Sequence, residues 1–213
     1  QAIKQKPRYR RAQLVARLGG NEESETAVQA GLAWLARHQA DDGHWSDGLK
    51  CEQGDSCPAL SFNDGHVSIA ETGLAVLAFQ AGGNYYFNDQ KYSQHVKNGL
   101  DWLVKQQGSD GRLFGVHTWY QHGIATFALA EACAVDLANN HPPDARYLDA
   151  ATRAIKFMED HQYAGGGWQY ELDSPRMGDT SVTGWQVLAL KSALEAKIDV
   201  APMTMRRVQD FFE

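Results

Sequence analysis

The chain has 213 residues, a net charge of −6, 43% hydrophobic and 10% aromatic residues. That is enough length and apolar content for a sizeable globular core. The acidic balance argues against nucleic acid as a partner, and no segment approaches the ~18 uninterrupted apolar residues of a membrane span.

Residues 1–20 form a basic leader, expected to be flexible, in which Lys4, Lys6, Arg8, Arg10, Arg11 and Arg17 are crowded together. Such an arm suits either a solvated tail or association with an anionic membrane surface. No apolar leader segment is visible. The chain opens on Gln1 rather than methionine, which leaves room for an upstream export signal or anchor and leaves localisation open.

From residue 21 onward the sequence repeats. Gly31-Leu32-Ala33-Trp34-Leu35 is followed by Gln39, Gly43 and Trp45. Gly99-Leu100-Asp101-Trp102-Leu103 is followed by Gln107, Gly111 and Leu113. Ala154-Ile155-Lys156-Phe157-Met158 is followed by Gln162, Gly166 and Trp168. A fourth copy begins at Arg206 and stops before its glutamine. Self-similarity of this kind sets the architecture before any local motif does.

Helical spacing of apolar residues predicts one set of helices over about 24–38, 92–107 and 146–161, with another beginning near 203. Val28, Leu32 and Leu35 mark the buried stripe expected on the first. Asn21 or Ser24 is its expected N-cap, and Pro142-Pro143-Asp144 opens the third helix of this set. A second set aligns on Gly73-Leu74-Ala75-Val76, Gly123-Ile124-Ala125-Thr126 and Gly184-Trp185-Gln186-Val187. These runs are apolar nearly all round and should be buried on most faces. The order is outer helix, glycine turn, inner helix, three times over, and the fold class is all-α.

The first repeat is enlarged by a loop over about 46–63 that holds Cys51 and Cys57, spaced to suit a small disulfide. Spacing alone does not establish that bridge. Cys133 falls in an apolar helical run and is expected to be a buried thiol. Asp47, Asp55 and Asp64 could serve a calcium site in or beside the long loop, and Asp41-Asp42-Gly43-His44 reads as a turn.

A helix ending in glutamine, followed by a glycine turn and tryptophan, resembles the repeat of squalene–hopene and oxidosqualene cyclases. The inner-helix phrases are similar to those of protein prenyltransferase β subunits. Gly178-Asp179-Thr180-Ser181 and Gly166-Gly167-Trp168-Gln169-Tyr170 look like the planctomycete cyclase-like repeat proteins. The resemblance implies an α/α toroid, with inner helices around a cavity and outer helices as a sheath. It implies that the repeated glutamine and tryptophan are structural, satisfying backbone groups at helix ends. The turn carrying Leu113 should then be held less tightly. Complete toroids of this type need about five or six hairpins, so three hairpins plus the start of a fourth make an incomplete ring. Further C-terminal repeats, or a partner chain, would close it.

The same resemblance directs attention to the N-terminal ends of the inner helices, where family members bind substrates and metals. Those ends offer Asp64, His66 and Glu71; His117, Tyr120, Gln121 and His122; and Asp179, Thr180 and Ser181. In cyclases an Asp-x-Asp-Asp-Thr stretch supplies a proton. Here Asp179-Thr180 aligns with its end, but Gly178 and Met177 stand before it, so the donor acid is missing. An aspartate at a helix N-terminus also has its charged form favoured, the opposite of what an alkene-protonating acid needs. Asp179, His117 and His122 are nonetheless the catalytic candidates of a divergent cyclase or transferase. Prenyltransferases hold zinc through Asp-x-Cys and a distant His. Asp64-Gly65-His66 takes the place of that pair, and His117 resembles the distant ligand. Asp64, His66 and His117 would suit zinc with an open position, though without the thiolate. A further reading is binding without chemistry, an apolar small molecule such as an isoprenoid held by Trp119, Tyr120, Phe127, Trp185 and Leu188. A structural or interaction repeat, with a filled ring centre, is the remaining alternative.

Overall fold

In the computed structural model, residues 15, 17–46, 68–113, 119–172 and 178–213 are described. Most of the basic leader, Cys51, Cys57, Asp47, Asp55, Asp64, His66 and His117 lie outside them. Among the described residues there is no strand. Seven long helices carry the fold: α1 (Glu22–Arg37), α2 (Ser68–Ala81), α3 (Ser93–Gln106), α4 (Trp119–Ala138), α5 (Ala145–Asp160), α6 (Thr180–Glu195) and α7 (Pro202–Phe212).

The two helix sets separate as the sequence pattern requires. α2, α4 and α6 lie side by side as an inner row, while α1, α3, α5 and α7 pack outside it. α4 occupies the centre, with α2 on one side and α6 on the other. Its sequence is apolar around nearly the whole circumference, and most of its residues are buried. Glycine lets the inner helices approach closely. A Cβ on Gly73 would lie 2.9 Å from Ile124, and one on Gly123 would lie 2.5 Å from the Gln186 amide.

Three of the four outer helices begin with local chemistry that their sequence announces, while α3 follows Tyr92 without a side-chain cap. Asn21 caps α1 through the Ser24 N–H at 2.8 Å, and the Ser24 hydroxyl accepts from the Asn21 N–H at 3.0 Å. That reciprocal pair satisfies two otherwise orphaned donors. Asp144 caps α5 by accepting from the Arg146 N–H at 2.9 Å. Pro202 opens α7, where its missing N–H costs nothing.

One expectation needs adjusting. The stripe predicted for α1 is only partly used: Leu32 is buried, but Val28 is 41% exposed. The inner helices are covered on most faces but not all round, and Leu74 on α2 and Leu188 on α6 remain more than two-fifths exposed. Both helices flank the central α4 and lack its second inner neighbour among the described residues.

Candidate functional site

The glutamine turns form one layer with one geometry, repeated three times. Gln39 Nε2 donates to the Gly43 carbonyl at 2.8 Å and to the His95 carbonyl of α3 at 3.0 Å. Gln107 Nε2 does the same to Gly111 at 3.0 Å and to Ala150 of α5 at 2.8 Å. Gln162 Nε2 reaches Gly166 at 2.8 Å and Thr204 of α7 at 3.1 Å. Each amide therefore closes its own turn and fastens it to the next outer helix.

The turn glycine is demanded twice over. Gly43, Gly111 and Gly166 have φ of 103°, 94° and 87°, a region in which a side chain is strained. A Cβ would also fall 2.5 Å from the Asn98 carbonyl oxygen, 2.4 Å from that of Arg153 and 1.9 Å from that of Arg207. Every turn thus rests its bare backbone on the next outer helix.

The tryptophans complete the layer. Trp45 Nε1–H donates to the Leu35 carbonyl at 2.8 Å, and Trp168 Nε1–H donates to that of Met158 at 3.1 Å. Leu113 fills the third such position, fully buried, and a leucine has no N–H to offer the end of α3.

His122 belongs to this layer as well. The Trp45 N–H donates to Thr72 Oγ1 at 3.0 Å, and the Trp168 N–H donates to Thr183 Oγ1 at 3.0 Å. In the second repeat the Leu113 N–H donates to His122 Nδ1 at 3.1 Å. Thr72, His122 and Thr183 each stand one residue before the shared inner-helix glycine. They are register equivalents, and His122 does a threonine's work. Its other nitrogen, Nε2, carries the proton and donates to the Ala154 carbonyl at 3.0 Å. Burial pushes its pKa down to about 4, so the ring is neutral at ordinary pH. Both ring nitrogens are engaged with backbone inside the core.

Trp119 is also deep in the protein, 1% exposed. Its ring packs near Phe157, His122 and Trp168, facing the outer helix α5. Phe127 and Trp185 are half-buried on α4 and α6. Tyr120 differs, since it reaches the surface where the inner helices start.

There a hydrogen-bonded chain crosses between two inner helices. Asp179 is the N-cap of α6, and its Oδ1 accepts from the Ser181 N–H at 2.9 Å and the Val182 N–H at 3.0 Å. The Ser181 hydroxyl donates to the same oxygen at 2.5 Å. These donors, the Ser181 hydroxyl foremost, hold the Asp179 carboxyl below its ordinary pKa. The Tyr120 hydroxyl of α4 is hydrogen-bonded to Ser181 Oγ. The Tyr170 ring stands edge-on to that of Tyr120, with centroids 5.5 Å apart. Its phenol is raised above the ordinary value, mainly by a hydrogen bond with Tyr120. The site thus combines an ionised carboxylate, a serine hydroxyl and two phenols.

Of the residues singled out from sequence, Asp179 and Tyr120 come together through Ser181, while His122 and Trp119 belong to the packed layer behind. Asp64, His66 and His117 lie outside the described residues. Among the described residues no group of three His, Cys, Asp or Glu side chains could hold a metal ion. Sequence reasoning misses Tyr170 because it follows a turn tryptophan rather than opening an inner helix. The signal available is the aromatic residue two places after Trp168.

An inner row and an outer sheath of antiparallel helices, joined by glutamine–glycine turns, define an α/α repeat of the cyclase kind. The family of the squalene-hopene cyclase C-terminal domain matches residues 12–129, more than half of the chain, and the protein belongs to that family. The turn geometry continues unchanged through the third repeat, beyond the matched segment. No curated protein matches the chain.

Proposed function

We propose that this cyclase-like α/α module binds an apolar, isoprenoid-like molecule along its inner helices and does not protonate it. The observation that carries the reading is apolar surface left uncovered on the inner row. Leu74 is 44% exposed and Leu188 is 42% exposed, with Trp185 half-buried one turn from Leu188. Exposed apolar surface on otherwise buried helices marks a place for a ligand or partner. The state of Asp179 supports binding over cyclisation. A carboxylate that caps a helix and accepts three hydrogen bonds is a poor donor to an alkene.

Squalene titrated into the purified protein, followed by tryptophan fluorescence, tests this. Saturable binding is expected, weakened about tenfold or more by Leu188→Asp, which places a charge on the apolar face. Absence of binding, or equal affinity in the variant, would overturn the proposal.

A further inference from the structure

The first outer helix differs from the others in what rests on it. α3, α5 and α7 each receive a turn: Gln39, Gln107 and Gln162 donate to the carbonyls of His95, Ala150 and Thr204. The turn glycines press on the carbonyls of Asn98, Arg153 and Arg207. With Gly31 aligned on Gly99, the matching positions of α1 are Ala27 and Ala30, and both are exposed.

The neighbouring side chains show the same contrast. In α3, Val96 is fully buried and Trp102 is 9% exposed. Trp102 Nε1–H donates to Asp42 Oδ2 at 3.1 Å, and the His44 ring stacks on the indole with centroids 5.2 Å apart. Asp42 and His44 belong to the turn that arrives from the repeat before. A Cβ on Gly99 would stand 3.0 Å from the Trp45 ring at the end of that turn. The α1 equivalents are Val28, Trp34 and Gly31. Val28 and Trp34 are 41% and 44% exposed, and a Cβ on Gly31 would meet nothing within 4 Å beyond its own helix. Glycine in an open helix interior is unfavourable, and repeats of this kind bury their faces against neighbours. α1 therefore carries the receiving half of an interface whose complete form is present three times in the same molecule.

We infer that α1 is the docking face for the glutamine–glycine turn of a further α/α repeat, one that this sequence does not itself supply. A second copy of the chain is the wrong occupant. The spacing Gln-x-x-x-Gly occurs three times in the 213 residues, at Gln39, Gln107 and Gln162, and all three turns are already seated on α3, α5 and α7. The occupant has a turn to spare: its glutamine amide meets the Ala27 carbonyl, its glycine lies over Ala30, and an acceptor two or three residues beyond the glutamine meets the Trp34 indole N–H, as Asp42 meets Trp102.

The test supplies such a turn to the full chain. Arg207 and Ala30 share a register position, so a copy of residues 145–197 inserted between Gly20 and Asn21 carries its turn over α1. Hydrogen exchange in α1 should then slow about tenfold or more. Gln162→Ala confined to the inserted copy should restore most of the exchange. Gly31→Leu should leave the thermal transition of the original chain undiminished, because the space there is open, yet abolish the slowing in the extended chain. Unchanged exchange in α1, an inserted hairpin that stays unfolded beside it, or slowing that survives both substitutions would each overturn the inference. A dimer of the original chain that Gly31→Leu dissociates would overturn it too, because a second copy would then be the occupant.

Discussion

The turn layer and the inner-helix mouth are built from similar residue types and do opposite things. In the turns, the glutamine amide nitrogens, the two threonines and His122 bond to backbone at matching positions in the repeats. At the mouth, Tyr120, Ser181 and Asp179 bond side chain to side chain, and no other repeat reproduces the set among the described residues. Repetition identifies scaffold, and departure from the repeat identifies the candidate site. His122 shows the value of the distinction. Taken alone it is a histidine at an inner-helix start; taken in register it is a third copy of Thr72 and Thr183.

If the turns are scaffold, the largest loss should follow from filling one. Gly166 combines a φ of 87° with a backbone so close that an added Cβ would stand 1.9 Å from the Arg207 carbonyl oxygen. No rotamer change relieves a clash with backbone. Gly166→Ala is expected to cost about 4 kcal/mol, from conformational strain and overpacking together, and to release α7. Chemical denaturation measures the cost, and hydrogen exchange in α7 locates it. A loss below about 1 kcal/mol would break the account of the turns.

The second expected effect separates His122 from its threonine equivalents by pH. Its folded pKa is about 4, against an ordinary 6.5. Between those values the unfolded chain binds the proton and the folded one does not, so stability falls as pH is lowered through the window. The full loss attributable to this one ring is about 3 kcal/mol. Asp136 acts in the opposite sense, because burial raises its pKa to about 6 and stability falls as pH rises through that value. The two effects mask one another in the wild type. His122→Thr isolates the histidine: it should start lower at neutral pH by about 1–2 kcal/mol, because Ala154 loses its donor, then lose about 3 kcal/mol less on acidification. Parallel curves for the two proteins would return His122 to the candidate catalytic groups.

Much of this architecture is legible in the sequence, because a repeat states each structural requirement several times. The glutamine–glycine spacing, the two helix sets and the caps at Asn21 and Asp144 all follow from residue type and period. What the period does not convey is which polar residues are already spent. Nothing in the one-dimensional pattern says that His122 turns both nitrogens to backbone, or that Trp119 faces α5 instead of a ligand. Tyr170 is hard to assign for a related reason. It meets Tyr120 only because the third turn folds back over the start of α4, where the Trp119 N–H donates to the Tyr170 carbonyl at 3.2 Å. Leu188 is named from sequence as cavity lining, but how far it is exposed depends on which neighbour α6 has, not on its own composition.

The smallest effect is expected at the mouth, and its smallness is the point. Asp179→Ala removes the cap of α6 and should cost about 1 kcal/mol, several times less than the glycine change. The sign of its pH dependence is fixed by the lowered pKa. The carboxylate's contribution is present above the ordinary value of 3.8 and is lost as pH falls through the still lower folded value. Wild type and variant should therefore differ at neutral pH and converge in strong acid, a comparison that equilibrium denaturation at several pH values makes directly. Selection for stability alone would have little reason to assemble two phenols, a serine and an ionised aspartate for so modest a return, when a cap needs only the aspartate. A cost near 4 kcal/mol would mean that the chain of hydrogen bonds is holding α4 and α6 together, and the mouth would then be scaffold like the turns.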